Sequence, residues 1–169
     1  MMKEFFERAL DNVIRHGDTD IFPYPFETLL FFDKRKEVLD LLLDIHANFK
    51  ERLAAYPPAH QGALAPLSYT GFRWATQLDP IWNVYFPGLV IAAAPAIENA
   101  RIPAADQMVF SYRYNWNSTT ADLFDPAYHW RTFMECSLRK SENYAYVVIA
   151  DISEFYLRLS HHRLENALK

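Results

Sequence analysis

Proline placement sets the outer limits of helix in this chain. Proline fixes φ and lacks an amide donor, so it suits a first helical turn and not an interior. Pro23 and Pro25 alternate within Asp18-Thr19-Asp20-Ile21-Phe22-Pro23-Tyr24-Pro25-Phe26, which predicts an extended segment pinned to a body by its aromatics. Pro57-Pro58 stops any helix that reaches it, and Pro95 breaks the apolar run from Leu89 to Ala96. Asp125-Pro126 has the cap-then-proline pattern of a helix start.

Within these limits the periodicity predicts a mainly helical N-terminal region. Phe6, Leu10, Val13 and Ile14 share one face of a helix over 2–15, ended by His16-Gly17 with Gly17 in a left-handed conformation. Asp33 is placed to cap a long helix to about Leu53, with Val38, Leu42, Ile45, Phe49 and Leu53 on its apolar face. Lys34, Arg35 and Lys36 fall in its first turn, where the helix dipole disfavours cations. They read as a solvated face or, more sharply, as phosphate contacts.

The middle is harder to place. Gln61 to Gly71 reads as loop. Trp74, Trp82, Tyr85 and Phe86 fit a core, the simpler reading, or a stacking platform for bases. Gly88 to Ala96 suits a strand or a helix. After Asp125 a helix carries Ala127, Trp130, Met134, Ser137 and Leu138 on one side and ends at Ser141-Glu142-Asn143. Tyr144 to Ile149 is the strongest strand pattern, and Ser160 is placed to cap a last helix through Leu164 and Leu168.

Composition narrows the function classes. At 169 residues and 51% hydrophobic, the chain suits one globular domain, or one with an arm. Its 17 Lys and Arg against 21 Asp and Glu exclude a uniformly basic nucleic-acid coat but leave room for a local basic groove. Cys136 alone permits no intramolecular disulfide or Cys-rich zinc site and reads as inert packing, in keeping with a reducing, cytoplasmic setting. The start lacks an apolar signal core, and Leu89–Ala96 and Ala145–Ala150 fall short of the ~20 residues that span a bilayer, so no membrane is expected. Asn117-Ser118-Thr119 reads as a chance glycosylation match.

Asp151 is the sharpest local signal. It directly follows Tyr146-Val147-Val148-Ile149-Ala150, and a carboxylate at a strand end sits at a sheet rim, where it can face solvent and a hard cation such as magnesium. On spacing alone an ordinary turn aspartate is the simpler reading, since one carboxylate is not a metal site.

The run Ala150-Asp151-Ile152-Ser153-Glu154-Phe155-Tyr156-Leu157-Arg158-Leu159-Ser160-His161-His162-Arg163-Leu164-Glu165-Asn166-Ala167-Leu168 closely resembles the first catalytic motif of bacterial reverse transcriptases. Residues 98–114, from Glu98-Asn99-Ala100-Arg101 to Ser111-Tyr112-Arg113-Tyr114, resemble the fingers segment of that family's phage-defence branch. Gly17 to Phe26 resembles its N-terminal signature. The resemblance implies an α+β right-hand polymerase, truncated: a helical region over 1–60, then partial fingers and the start of the palm over 61–169.

Site residues follow from the same resemblance. Asp151 matches the first metal-binding aspartate, and Ile152 the position whose backbone carbonyl touches the same metal. Phe155 matches the pocket wall, and Tyr156 the position under the incoming sugar, where a ring selects deoxynucleotides. Arg113 matches a fingers residue near the triphosphate, and Arg101 is a further candidate for phosphate or template contact, a task that suits the guanidinium fork. Arg113 also has a plainer reading, as a stem covering apolar surface. His161 and His162 are adjacent on a helix, so they point apart and read as cap and packing residues.

The implied chemistry is deoxynucleotidyl transfer with two magnesium ions in the complete enzyme and at most a partial site here. The implied partners are an RNA template, a DNA or RNA primer, deoxynucleoside triphosphates, and a palm and thumb supplied in cis or in trans. The family's paired aspartates have no counterpart: no Asp-Asp pair occurs, and the chain stops eighteen residues after Asp151. The expectation is an N-terminal part that does not polymerise alone. A non-catalytic nucleic-acid-binding remnant and a partner-binding helical protein are the alternatives.

Overall fold

The computed structural model describes residues 1–17, 26–66, 69, 71–152, 155 and 158–168, without the side chains of 167 and 168. The expected extended segment over 18–25, the sugar-facing Tyr156 and the side chain of Leu168 lie outside the described residues. The fold is mixed α+β, with helices and two small antiparallel sheets. Two compact units divide it, residues 1–133 and 134–169.

In the first unit, α1 (Met2–His16), α2 (Phe26–Asp33), α3 (Arg35–Ala47) and α5 (Pro80–Ala100) supply the core, while α4 (Phe49–Ala55) buries no residue. Phe6, Leu10 and Val13 of α1 are buried as the periodicity requires, against Val38, Leu42 and Ile45 of α3 and Trp82, Val84, Tyr85 and Ile91 of α5. Gly17 closes α1 with φ 79° and ψ −173°. That is a glycine-specific conformation but not the left-handed helical one expected.

The long helix expected from Asp33 to Leu53 is interrupted twice. Asp33 is the last residue of α2 rather than a cap, and the chain turns at Lys34 and Asn48. The Asn48 side-chain amide donates to Asp44 Oδ1 at 2.8 Å, a local bond that competes with regular helix. Beyond that break Phe49 and Leu53 are exposed, although the Phe49 ring still meets the core rings of Tyr85 and Trp82 at 6.0 and 6.3 Å. Arg35 pairs with Asp11 of α1 at 2.8 Å, so this cation holds two helices together.

Helix α5 runs through Pro87 and Pro95, against the expectation that proline breaks the run. Each interior proline costs roughly 3 kcal/mol, which the burial of Trp82, Val84, Tyr85, Gly88, Ile91 and Ala94 along one helix offsets. Asp79 caps it, accepting from the Ile81 amide at 3.1 Å, with Pro80 at the first position. By length and composition alone α5 is apolar enough to cross a membrane, yet it packs against α1 in the core.

At Gly88, α5 lies directly against the Phe6 side chain of α1. A Cβ there would lie 2.3 Å from Cδ1 and 2.7 Å from Cε1 of Phe6, whose side chain is fully buried. Gly88→Ala gains about 1 kcal/mol of helix propensity but forces about 3 kcal/mol of overpacking. A net loss of about 2 kcal/mol is expected in urea unfolding; a neutral or stabilising result would show that the ring can move aside.

Two hairpins complete the first unit. The expected loop over 61–71 is instead largely strand: β1 (His60–Pro66) pairs antiparallel with β2 (Phe72–Leu78), Leu64 opposite Trp74. Its run of Gly, Ala and Pro lacks the branched residues that mark strands, so cross-strand pairing rather than propensity fixes it. β3 (Tyr114–Asn117) and β4 (Asp122–Phe124) form the second hairpin, with an irregular register. It is tied to α1 by Asn12, whose amide donates to Ala121 O at 2.8 Å, and by His16, 3.1 Å from Asp122.

Asp125-Pro126 forms a turn and does not start the next helix. Asp125 accepts from the Ala127 amide at 2.8 Å, which satisfies the cap locally. Helix α6 (Trp130–Ser141) begins later, where His129 Nδ1 accepts from the amides of Arg131 and Thr132 at 3.1 and 3.3 Å. In the second unit no strand is assigned to Tyr144–Ile149, the strongest strand pattern in the sequence. A strand needs a partner for its backbone groups, and this segment pairs with none among the described residues. Ser160 caps α7 (His161–Leu168) as expected, its Oγ accepting from the Arg163 amide at 3.3 Å.

Candidate functional site

The expected site residues fall in separate units. Arg101 and Arg113 belong to the first, where they converge on one carboxylate, Glu98. Residues 80–97 of α5 carry no charge, so Glu98 is a lone acid at the end of an apolar helix. Arg101 Nη1 donates to Glu98 Oε1 at 2.8 Å, and Arg113 Nη1 donates to Oε2 at 3.0 Å. The Tyr114 amide donates to Oε1 at 3.0 Å. Burial pushes the Glu98 carboxyl up, but the Tyr114 amide and the guanidinium groups of Arg113 and Arg101 outweigh it and hold the group below its ordinary value.

Each arginine then fastens a different stretch of backbone. Arg101 also donates to the carbonyls of Tyr112 at 3.0 Å and Ser111 at 2.6 Å. Arg113 donates to Ile102 O, and its guanidinium lies 5.9 Å from the Tyr128 ring centre. Arg113 is only 6% exposed and turned inward, while its Nε is buried without a hydrogen-bond partner. In this structure Arg113 is held by a carboxylate, a carbonyl and a ring rather than lying open to solvent. The pair closes the 101–113 loop onto the end of α5.

That clamp holds Tyr112 at φ 37°, a conformation strained for a residue with a bulky side chain. Beside it lies a cavity of about 630 Å³, walled by Phe110, Tyr112, Tyr128, Trp130 and Phe133. His129 is also in the lining; its Nδ1 caps α6 and its Nε2 lies 3.3 Å from Thr132 Oγ1, while the rest of the wall is largely aromatic.

In the second unit Asp151 is exposed, and its Oδ1 accepts from the Ile152 amide at 2.9 Å. Ile152 and Phe155 are exposed at 63% and 45%. Among the described residues no group of three or more His, Cys, Asp or Glu side chains could hold a metal ion. Glu98 is the residue that sequence reading passed over. Its signal is the isolated acid three residues before Arg101, a helical spacing that favours pairing. Comparison with protein-family models, with curated proteins and with solved structures finds no match.

Proposed function

We propose that these residues form the N-terminal part of an RNA-directed DNA polymerase. One observation carries the reading: the run from Ala150 to Leu168, with Asp151 ending an apolar stretch and Tyr156 five residues on, has the pattern of a reverse transcriptase's first catalytic motif. In this reading 61–169 covers part of the fingers and the start of the palm. Magnesium, when bound, would activate the attacking hydroxyl and neutralise charge on the triphosphate.

The chain's own residues have narrower tasks. Asp151 contributes one carboxylate at the edge of the second unit. Tyr156 excludes a 2'-hydroxyl. Glu98, through Arg101 and Arg113, fixes the loop that carries Tyr112. Polymerisation requires further carboxylates, so the 169 residues by themselves are read as inactive. The exposure of Tyr146, Val148 and Ile149, each above 90% or at 90%, is in keeping with a strand whose neighbours come from further polypeptide.

Sequencing the gene beyond the codon for Lys169 tests this reading. An in-frame or adjacent segment with an Asp-Asp turn supports it. A stop codon with no such segment nearby favours the second reading, a non-catalytic nucleic-acid-binding module, whose own support is the set of exposed rings on the β1–β2 hairpin.

A further inference from the structure

Tyr112 holds a positive φ of 37°, which bulky side chains avoid. Arg101 fixes the backbone there by donating to the carbonyls of Ser111 and Tyr112. The Tyr112 ring leans on Phe124 of β4, centres 5.0 Å apart, and stays exposed. Strain of this kind persists only where the surrounding structure imposes it, and it gathers at segments that clamp ligands. Here it borders the cavity of about 630 Å³, a volume inside the range of roughly 300–1,000 Å³ that small-molecule sites occupy.

The wall is a connected set of rings, all within the first unit. Between ring centres, Phe110 lies 6.2 Å from Tyr128 and 6.1 Å from Phe133, and Phe133 lies 5.3 Å from Trp130. Exposure rises along this set, from 8% at Phe110 to 38% at Phe133 and 73% at Trp130, so the cavity has a buried floor and an open mouth. Met108 adds an adaptable thioether to the lining.

The lining also sets the charge of what fits. Among the described residues it includes no Asp, Glu, Lys or Arg. Arg101 and Arg113, which hold the adjoining loop, are both committed to Glu98, so neither is free to draw in an anion. The Arg113 guanidinium already lies 5.9 Å from the Tyr128 ring centre, which disfavours a second cation on that ring. Side-chain polar atoms of the lining are engaged as well: Ser111 Oγ accepts from Arg101 at 3.4 Å, and the Tyr128 hydroxyl donates to Ala104 O at 3.5 Å. We propose that this cavity binds an uncharged small molecule carrying an aromatic ring, stacked against Trp130 and Phe133 over the Phe110 floor. The inference needs no chemistry at Asp151, so it stands or falls apart from the polymerase reading.

The test is a fluorescence titration of the full chain with phenylnaphthylamine, a neutral dye that brightens in apolar sites. Saturable binding of one dye per chain is expected. Trp130→Ala should weaken it by about tenfold, and Trp130→Phe should recover most of the loss. Phe133→Ala should also weaken it, while Trp74→Ala, at an exposed ring on the β1–β2 hairpin, should leave it unchanged. In competition, neutral naphthol should displace the dye, and anionic naphthoate and a cationic naphthylmethyl trimethylammonium should each do so less well by about tenfold or more. Circular dichroism checks that each variant is folded. Absence of saturable binding, or undiminished binding by both Trp130→Ala and Phe133→Ala, overturns the proposal. Preferential displacement by either charged competitor overturns it too. So does a dimer in sedimentation that disperses with Trp130→Ala, because a second copy would then fill the cavity.

Discussion

Phe6→Ala is expected to lower the unfolding free energy by about 4 kcal/mol, seen as a lower urea midpoint with an unchanged slope. Phe6 is fully buried where α1 meets α5. Its ring stacks on Tyr85 with centres 5.3 Å apart and meets His46 edge-on at 5.7 Å. Truncation removes the transfer free energy of the ring and leaves a cavity that two helices cannot close without breaking their other contacts. Gly88 supplies a stricter check, because its missing Cβ is the space the ring fills. Once Phe6 is alanine, Gly88→Ala should cease to destabilise, so the double variant loses less than the two single losses combined. Strict additivity would contradict the packing described.

Glu98→Ala is expected to cost about 3 kcal/mol, because it leaves two guanidinium groups and the Tyr114 amide without their acceptor. Arg113 bears most of this, being almost fully buried. Glu98→Gln should retain part of the stability, since its carbonyl still accepts while its amide group opposes one arginine. The pH dependence has a definite sign. The folded carboxyl lies below its ordinary value of 4.5, so its contribution is complete above that value and is lost as the pH falls through the lowered one. Urea unfolding from neutral to acid pH should show this component in the parent and not in Glu98→Ala. An equal acid response in both would remove Glu98 from the network's centre.

The helical core was legible because its signals are local and repeated. Phe6, Leu10 and Val13, and Val38, Leu42 and Ile45, fall on buried faces at the spacing that their periodicity implies. Ser160 works as a cap for the same reason: its partner lies three residues away. What was misread depends on partners distant in sequence or on local bonds that satisfy a signal early. Asp125 carries cap chemistry but uses it on a turn. His60 to Pro66 has weak strand propensity but a paired neighbour, whereas Tyr144 to Ile149 has strong propensity and no assigned strand. Trp82 and Tyr85 are core as the simpler reading held, while Trp74 and Phe86 are exposed. Whether a ring faces inward in a hairpin depends on register, which no single strand encodes.

Of the Glu98 cluster only the arginines stood out in the sequence, not the acid or the geometry that joins them. Arg101 and Arg113 were singled out as phosphate-binding candidates, yet their convergence on Glu98 depends on a loop that brings residues 10 to 16 positions apart together. Asp151 is exposed, but Tyr144 to Ile149 forms no strand, so the sheet rim expected for this carboxylate does not appear among the described residues.

The most direct measurement is DNA synthesis by the full open reading frame that encodes these residues, given an RNA template, a primer, deoxynucleotides and magnesium. The polymerase reading predicts template-directed incorporation that falls to background in Asp151→Asn while the protein stays folded. Incorporation that survives Asp151→Asn, or none at all from a folded full-length protein, would contradict it.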